Sequence, residues 1–228
     1  MEWKENPQLA DRMLALIAED MKIDKPLPHV TELIYCLTRS WNDRFDYIPL
    51  APKEVCLFSI GVGLGEYLLS PHRDEVGGEL DGINYSIDFM TLGEEGGIAP
   101  DQLGELKSTR MSTKKHPDDF PETWKKQLLA YMKGAGSLHA IYAVMYVIPA
   151  EFKTWEVTAT QQEVDDNWTW MQSRNVIYQD FIQQGIPPTP FEFNEVWECK
   201  SCRYKLGCDL AVSIQKEQET GDENQDRD

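Results

Sequence analysis

Ile83-Asn84-Tyr85-Ser86-Ile87-Asp88-Phe89 alternates apolar and polar side chains, and that period of two decides the fold. It predicts a strand with Ile83, Tyr85 and Ile87 on one face and Asp88 pointing away from it. Gly93-Glu94-Glu95-Gly96-Gly97 then supplies a turn or loop. A second strand is expected over about Gln102 to Thr109, where Glu105 and Lys107, two residues apart, share a face. Pro121 to Lys133 follows as a helix that sets Gln127 and Tyr131 one turn apart on one side.

The flanking sequence completes this unit. Pro7 to Lys22 carries Leu9, Met13, Leu16, Ile17 and Met21 at helical spacing. After a break at Lys25-Pro26-Leu27-Pro28, Thr31 is expected to cap a helix running through Cys36 toward Trp41. A third helix over about Glu54 to Leu69 contains Gly61, Gly63 and Gly65, which weaken a helix and are expected to admit a close approach of backbone or ligand. Downstream, Ser137 to Ile148 reads as a buried strand with Phe152 to Thr158 as its neighbour. Thr160-Gln161-Gln162-Glu163 is a capping box opening a long helix that ends near Gly185. Ile186-Pro187-Pro188-Thr189-Pro190 then leads extended chain into Cys199. This order predicts an α/β or mixed α+β fold, a central mixed sheet flanked by helices. Its expected parts are an N-terminal helix in 1–27, one domain over 28–210 and an acidic, disordered tail over 211–228.

With 228 residues, 41% of them hydrophobic, the chain is long enough to bury a core without disulfides. No apolar run approaches the roughly 20 residues of a membrane span, and no secretory signal opens the sequence, so a cytoplasmic protein is expected. Reduced cysteines that cluster in such a compartment more often hold metals than form disulfides. The net charge of −17 argues against a general affinity for nucleic acid. Between Glu105 and Lys133, however, seven basic side chains outnumber four acidic ones, which permits local contact with phosphates.

Hydrolysis of a phosphodiester needs hard oxygen ligands for Mg²⁺ or Mn²⁺. Asp88 and Glu105, on adjacent strands, are expected to supply carboxylates, and the carbonyl of Leu106 a backbone ligand. Lys107 is placed to orient the attacking water and offset developing charge. Gln127 and Tyr131 approach the same pocket from the following helix. Taken singly, Glu-x-Lys is an ordinary surface ion pair and Gln-x-x-x-Tyr is equally bland.

A second constellation joins the chain ends. Cys199-Lys200-Ser201-Cys202 followed by Cys208 is a three-thiolate hook that needs a fourth ligand, and Cys36 is the candidate. Four thiolates suit zinc or an iron–sulfur cluster, and the short Cys-x-x-Cys spacing alone leans to zinc. Cys56, in an apolar helix, is expected to be a buried small hydrophobe.

In this order of elements the residues resemble the RecB-like branch of the PD-(D/E)XK nucleases, from about Pro28 to Asp209. The resemblance implies a restriction-endonuclease-like sheet and a metal-dependent DNA exonuclease that cuts single strands or frayed ends, 5′ to 3′. One cysteine before the core and three after it is similar to the CRISPR-associated RecB-like exonucleases and to the nuclease parts of certain replication and recombination helicases. That likeness implies a [4Fe-4S] cluster clamping the fold, and work in CRISPR adaptation, phage recombination or DNA repair. The protein would act alone, as a homo-oligomer, or beside a CRISPR integrase or recombination partner. The family often has a metal-binding histidine in the first helix of the core, which is absent here. Glu66 either takes its place or faces solvent, and His72, in a Ser-Pro-His-Arg turn, reads as structural. Trp41 and Trp124 are candidates for stacking on unpaired bases. The alternative is a cluster-stabilised DNA-binding or accessory subunit without cleavage.

Overall fold

The computed structural model describes residues 7–20, 28–69, 76–88, 103–189 and 196–213. They form α1 (Pro7–Asp20), α2 (Val30–Ile34), α3 (Leu37–Phe45), α4 (Pro52–Leu69), β1 (Val76–Leu80), β2 (Ile83–Ile87), β3 (Leu103–Thr109), α5 (Glu122–Ala135), β4 (His139–Tyr146), β5 (Glu151–Thr158), α6 (Gln161–Gln184) and α7 (Val196–Lys200). A last helical stretch covers 205–213. The fold is mixed α+β. His72, the turn Gly93–Gly97 and the tail beyond 213 lie outside the described residues. No helix among those residues is long and apolar enough to cross a membrane.

Local chemistry accounts for most of these elements. β1 and β2 pair antiparallel through Asp81-Gly82, both at positive φ (51° and 75°), the geometry that a two-residue hairpin turn requires. β3 and β4 pair in parallel, so their connection must cross over, and α5 is that crossover. β5 then returns antiparallel to β4, giving the order β3-β4-β5. β4 is covered on both faces, which explains its unbroken run Ala140-Ile141-Tyr142-Ala143-Val144. α6 opens with the Thr160–Glu163 capping box and closes at Gly185 in the left-handed region, φ 67°. Leu33, Ile34, Leu37, Ile83, Leu103, Met132, Val144, Met171 and Tyr178 fill the core between the strands and α2, α5 and α6.

Four expectations are corrected. The helix expected from Thr31 through Cys36 is two helices. His29, not Thr31, caps α2: its ring accepts the Thr31 N–H at 3.2 Å, and the Glu32 carboxylate accepts the His29 N–H at 2.9 Å. Tyr35 is extended, and Cys36 is the N-cap of α3. Long-range bonds hold this break open: the buried Arg174 donates to the carbonyls of Leu33 and Tyr35, both at 2.6 Å. Second, the chain before Cys199 is the short helix α7 rather than extended. Third, Cys56 is exposed on α4, because that helix is apolar all round and turns Phe58, Ile60 and Val62 outward as well. Fourth, of the three α4 glycines only Gly61 meets a close neighbour: a Cβ there would lie 3.1 Å from the Ser108 hydroxyl of β3, whereas Gly63 and Gly65 face open space.

Candidate active site

Asp88 follows β2 directly, and its Oδ2 accepts the backbone N–H of Leu106 at 2.9 Å. This single bond locks the carboxylate to the middle of β3. A residue's N–H and C=O lie on the same side of an extended strand, so the Leu106 carbonyl also faces the Asp88 edge. Glu105 and Lys107 share the face of β3 that packs under α5. The Lys107 ammonium donates to Glu105 Oε1, and at 2.7 Å to Gln127 Oε1. Gln127 Nε2 donates in turn to the Tyr131 hydroxyl at 2.8 Å. Asp88, Glu105, Leu106, Lys107, Gln127 and Tyr131 therefore stand together as the sequence predicts.

The electrostatics are those of a buried carboxylate set between a lysine and a second carboxylate. Glu105 is 1% exposed, and its Oε2 is buried without a partner. Burial pushes its carboxyl up to about 7; Lys107 pulls against that shift and Asp88 adds to it. Burial works to lower Lys107, but the neighbouring acids, Glu105 first, hold it above the ordinary lysine value. An ion pair kept only for stability would not leave a buried carboxylate oxygen unsatisfied, since that costs about 1–3 kcal/mol or more for a charged group. A divalent cation at Glu105 Oε2, near Asp88 and the Leu106 carbonyl, matches this donor set.

Two residues here escaped the sequence reading. Tyr142 sits opposite Glu105 in the β3–β4 register, and its hydroxyl is buried with no partner. Nothing in the local sequence marks it, because register sets its position. Tyr35, in the break between α2 and α3, has its phenol within electrostatic reach of Lys107, Glu105 and Glu198.

Glu66 does not join this group. It is exposed on α4, and among the described residues no three His, Cys, Asp or Glu side chains converge as a ready ligand set. Of the expected ligands, Asp88, Glu105 and Leu106 stand together and Glu66 stands apart from them. Glu66→Ala is therefore expected to leave Mn²⁺ affinity within about twofold of the parent; a loss of tenfold or more in a titration would restore it as a ligand. Of the candidate stacking residues, Trp41 packs on Phe45 at 5.0 Å between ring centroids. Trp124 instead lines a cleft of about 320 Å³ with Phe120, Tyr142 and Trp155.

The cysteines are the second constellation. Cys36 is buried at the start of α3, Cys199 lies on α7, and Cys202 and Cys208 follow, all half-buried. Burial pushes the Cys208 thiol up to about 11, with Cys202, Cys36 and Cys199 adding to the shift in that order. The four sulfurs thus share one electrostatic neighbourhood although 172 residues of sequence separate the first from the last. Polar contacts seat the C-terminal segment there. The Cys36 N–H donates to Glu198 Oε2 at 2.8 Å, the Thr38 hydroxyl to the carbonyls of Pro188 and Thr189 at 3.1 and 3.0 Å, and the Ile48 N–H to the Tyr204 hydroxyl at 3.2 Å. Arg203 pairs with Asp43. The side chains are those that suit zinc or a cluster, but no three of these four sulfurs converge as a ready ligand set.

No family model and no curated protein matches the chain. Among solved structures it is similar to the crystal structure of SSO0001, with a TM-score of 0.56 and 18% identity over 87% of this chain and 95% of that one. At that identity the likeness shows the fold alone.

Proposed function

We propose that the protein is a metal-dependent deoxyribonuclease, an exonuclease on single-stranded DNA or frayed ends. The observation that carries this reading is the buried, unpartnered Glu105 oxygen beside Asp88 and the Lys107–Gln127–Tyr131 relay. A divalent ion bound there would polarise the phosphate and lower the pKa of the attacking water. The chain's own groups do the rest. Asp88 and Glu105 hold the ion. Gln127, itself fixed by Tyr131, holds the Lys107 ammonium in place. Lysine has three N–H donors, and two are in use, so the third is free for the water or a phosphate oxygen. The cleft beside Trp124 and Trp155 offers aromatic surface for an unpaired base. Degradation of end-labelled strands with Mn²⁺ tests the reaction class, and intact strands at every end structure would reject it.

A DNA-binding subunit without cleavage is the second reading, favoured by the exposed Glu66 where the family often has a histidine ligand. The intact relay weighs against it, because a decayed site has no need to keep a buried carboxylate short of a partner.

The raised Glu105 value sets a pH dependence. A ligand must be the carboxylate, so below about 7 each ion bound displaces a proton from Glu105. Mn²⁺ affinity is expected to rise about tenfold per pH unit up to that point and then level off. Calorimetry at pH 6, 7 and 8 measures this; an affinity flat across the range would remove Glu105 from the site. Stability of the metal-free fold has the opposite sign. The native state keeps this proton between 4.5 and about 7 while the unfolded chain loses it, so stability falls as pH rises through that window.

A further inference from the structure

We infer that the cleft among Phe120, Trp124, Tyr142 and Trp155 is a subsite for one unpaired nucleobase, belonging to a DNA strand whose phosphate lies at Glu105 and Lys107. The choice of ligand rests on the proposed nuclease; the site itself rests on its own geometry. Residues paired in register stand on one face of a sheet, and Glu105, Tyr142 and Trp155 form such a row across β3, β4 and β5. Neighbouring strands lie about 4.8 Å apart, so Trp155 stands roughly 10 Å across the sheet from Glu105, about the reach from a phosphate to the far edge of its own base. One stripe of α5 covers both ends of the row. Gln127 and Tyr131 serve the Lys107 relay, while Trp124 and Leu128 line the cleft.

The lining suits a flat, uncharged ring. Phe120 is its hub, with ring centroids 5.6 Å from Trp124, 6.1 Å from Tyr142 and 5.3 Å from Trp155. An aromatic cluster that serves only as core closes up, since protein interiors leave few voids larger than a water molecule. This one surrounds about 320 Å³ and leaves Trp124 and Trp155 half-buried. Its charged lining is two acids, Asp118 and Glu163, against one base, Lys125, so the cleft itself does not favour a phosphate. Tyr142 adds an independent sign of a ligand. It is 4% exposed, and its hydroxyl is buried without a partner, which costs stability unless something else meets it. A nucleobase offers both a face that stacks on the rings and a polar edge for that hydroxyl.

Fluorescence anisotropy in EDTA tests this without any divalent ion, by comparing a short thymidine strand with a sugar–phosphate strand of equal length that lacks every base. The parent is expected to bind the thymidine strand more tightly. Trp155→Leu keeps the cleft apolar but removes a stacking face, and should weaken binding of the thymidine strand about 5- to 150-fold. Its affinity for the base-free strand should be unchanged, which also shows that the variant is folded. Tyr142→Phe, which removes the hydroxyl alone, should cost about 2- to 10-fold on the thymidine strand only. Irradiation of a strand carrying 5-iodouracil should attach it to Phe120, Trp124, Tyr142 or Trp155. Equal affinity of the parent for the two strands, equal losses on both in Trp155→Leu, or attachment solely elsewhere would each overturn the base site. The nuclease reading fails separately: base-dependent binding without cleavage in Mn²⁺ would remove the nuclease and keep the site, and cleavage without base-dependent binding would do the reverse.

Discussion

Asp88→Asn and Glu105→Gln are each expected to lower the rate of DNA cleavage by about 10³-fold or more, the loss of several kcal/mol of metal-borne transition-state stabilisation. The two substitutions remove charge and little else. An asparagine at position 88 still presents a side-chain oxygen to the Leu106 N–H, so the tie between the end of β2 and β3 survives. A glutamine at position 105 keeps an oxygen near Lys107 and removes a buried charge with an unsatisfied oxygen, while Gln127 goes on holding the ammonium. Neither residue touches the cysteines, so iron content should match the parent. End-labelled single strands, timed with Mn²⁺, give the rate, and circular dichroism checks the fold. Parent-rate cleavage by either variant would show that the metal site is wrongly placed.

The strands and caps that place this site were legible because their signals are local. Period-two alternation gave β2, which ends at Ile87 with Asp88 next to it, and the capping box at Thr160 with Gly185 as stop gave both ends of α6. Asp88, Glu105, Lys107, Gln127 and Tyr131 came together because a spacing of two on a strand and four on a helix fixes which side chains share a face. β1 was missed although its signal is present: Asp81-Gly82 between Leu80 and Ile83 is a hairpin turn, but Gly77 and Gly78 obscure the strand before it. The break at Tyr35–Cys36 had no local signal. It depends on Arg174 and Glu198, which reach it from 139 and 162 residues away. Register hid Tyr142 in the same way. The exposure of Cys56 was misread because an all-apolar helix carries no sequence mark of which side is buried.

Cys36→Ala is expected to strip the metal centre and loosen the fold together. Purified without oxygen, the parent should be brown and carry about four irons per chain, as a Cys₄-bound [4Fe-4S] cluster requires. Cys199, Cys202 and Cys208 come from one short segment, and the described thiol that shares their electrostatic neighbourhood is Cys36. Its removal leaves the hook without a protein-only fourth ligand, so iron should fall well below the parent stoichiometry. Stability should fall too, because metal binding is coupled to folding and this centre ties α3 to the C-terminal segment. The fall should be limited, since Glu198 still accepts a backbone N–H, Thr38 still reaches the Pro188 and Thr189 carbonyls, and Arg203 still pairs with Asp43. Cys56→Ala is the control: an exposed thiol on α4 should keep the iron and change stability by about 0.5 kcal/mol or less. Iron analysis and thermal melts of the parent and both variants decide the matter. Stoichiometric zinc without iron would replace the cluster by a zinc site and leave the nuclease reading standing. Iron that survives Cys36→Ala but vanishes in Cys56→Ala would overturn the choice of ligand.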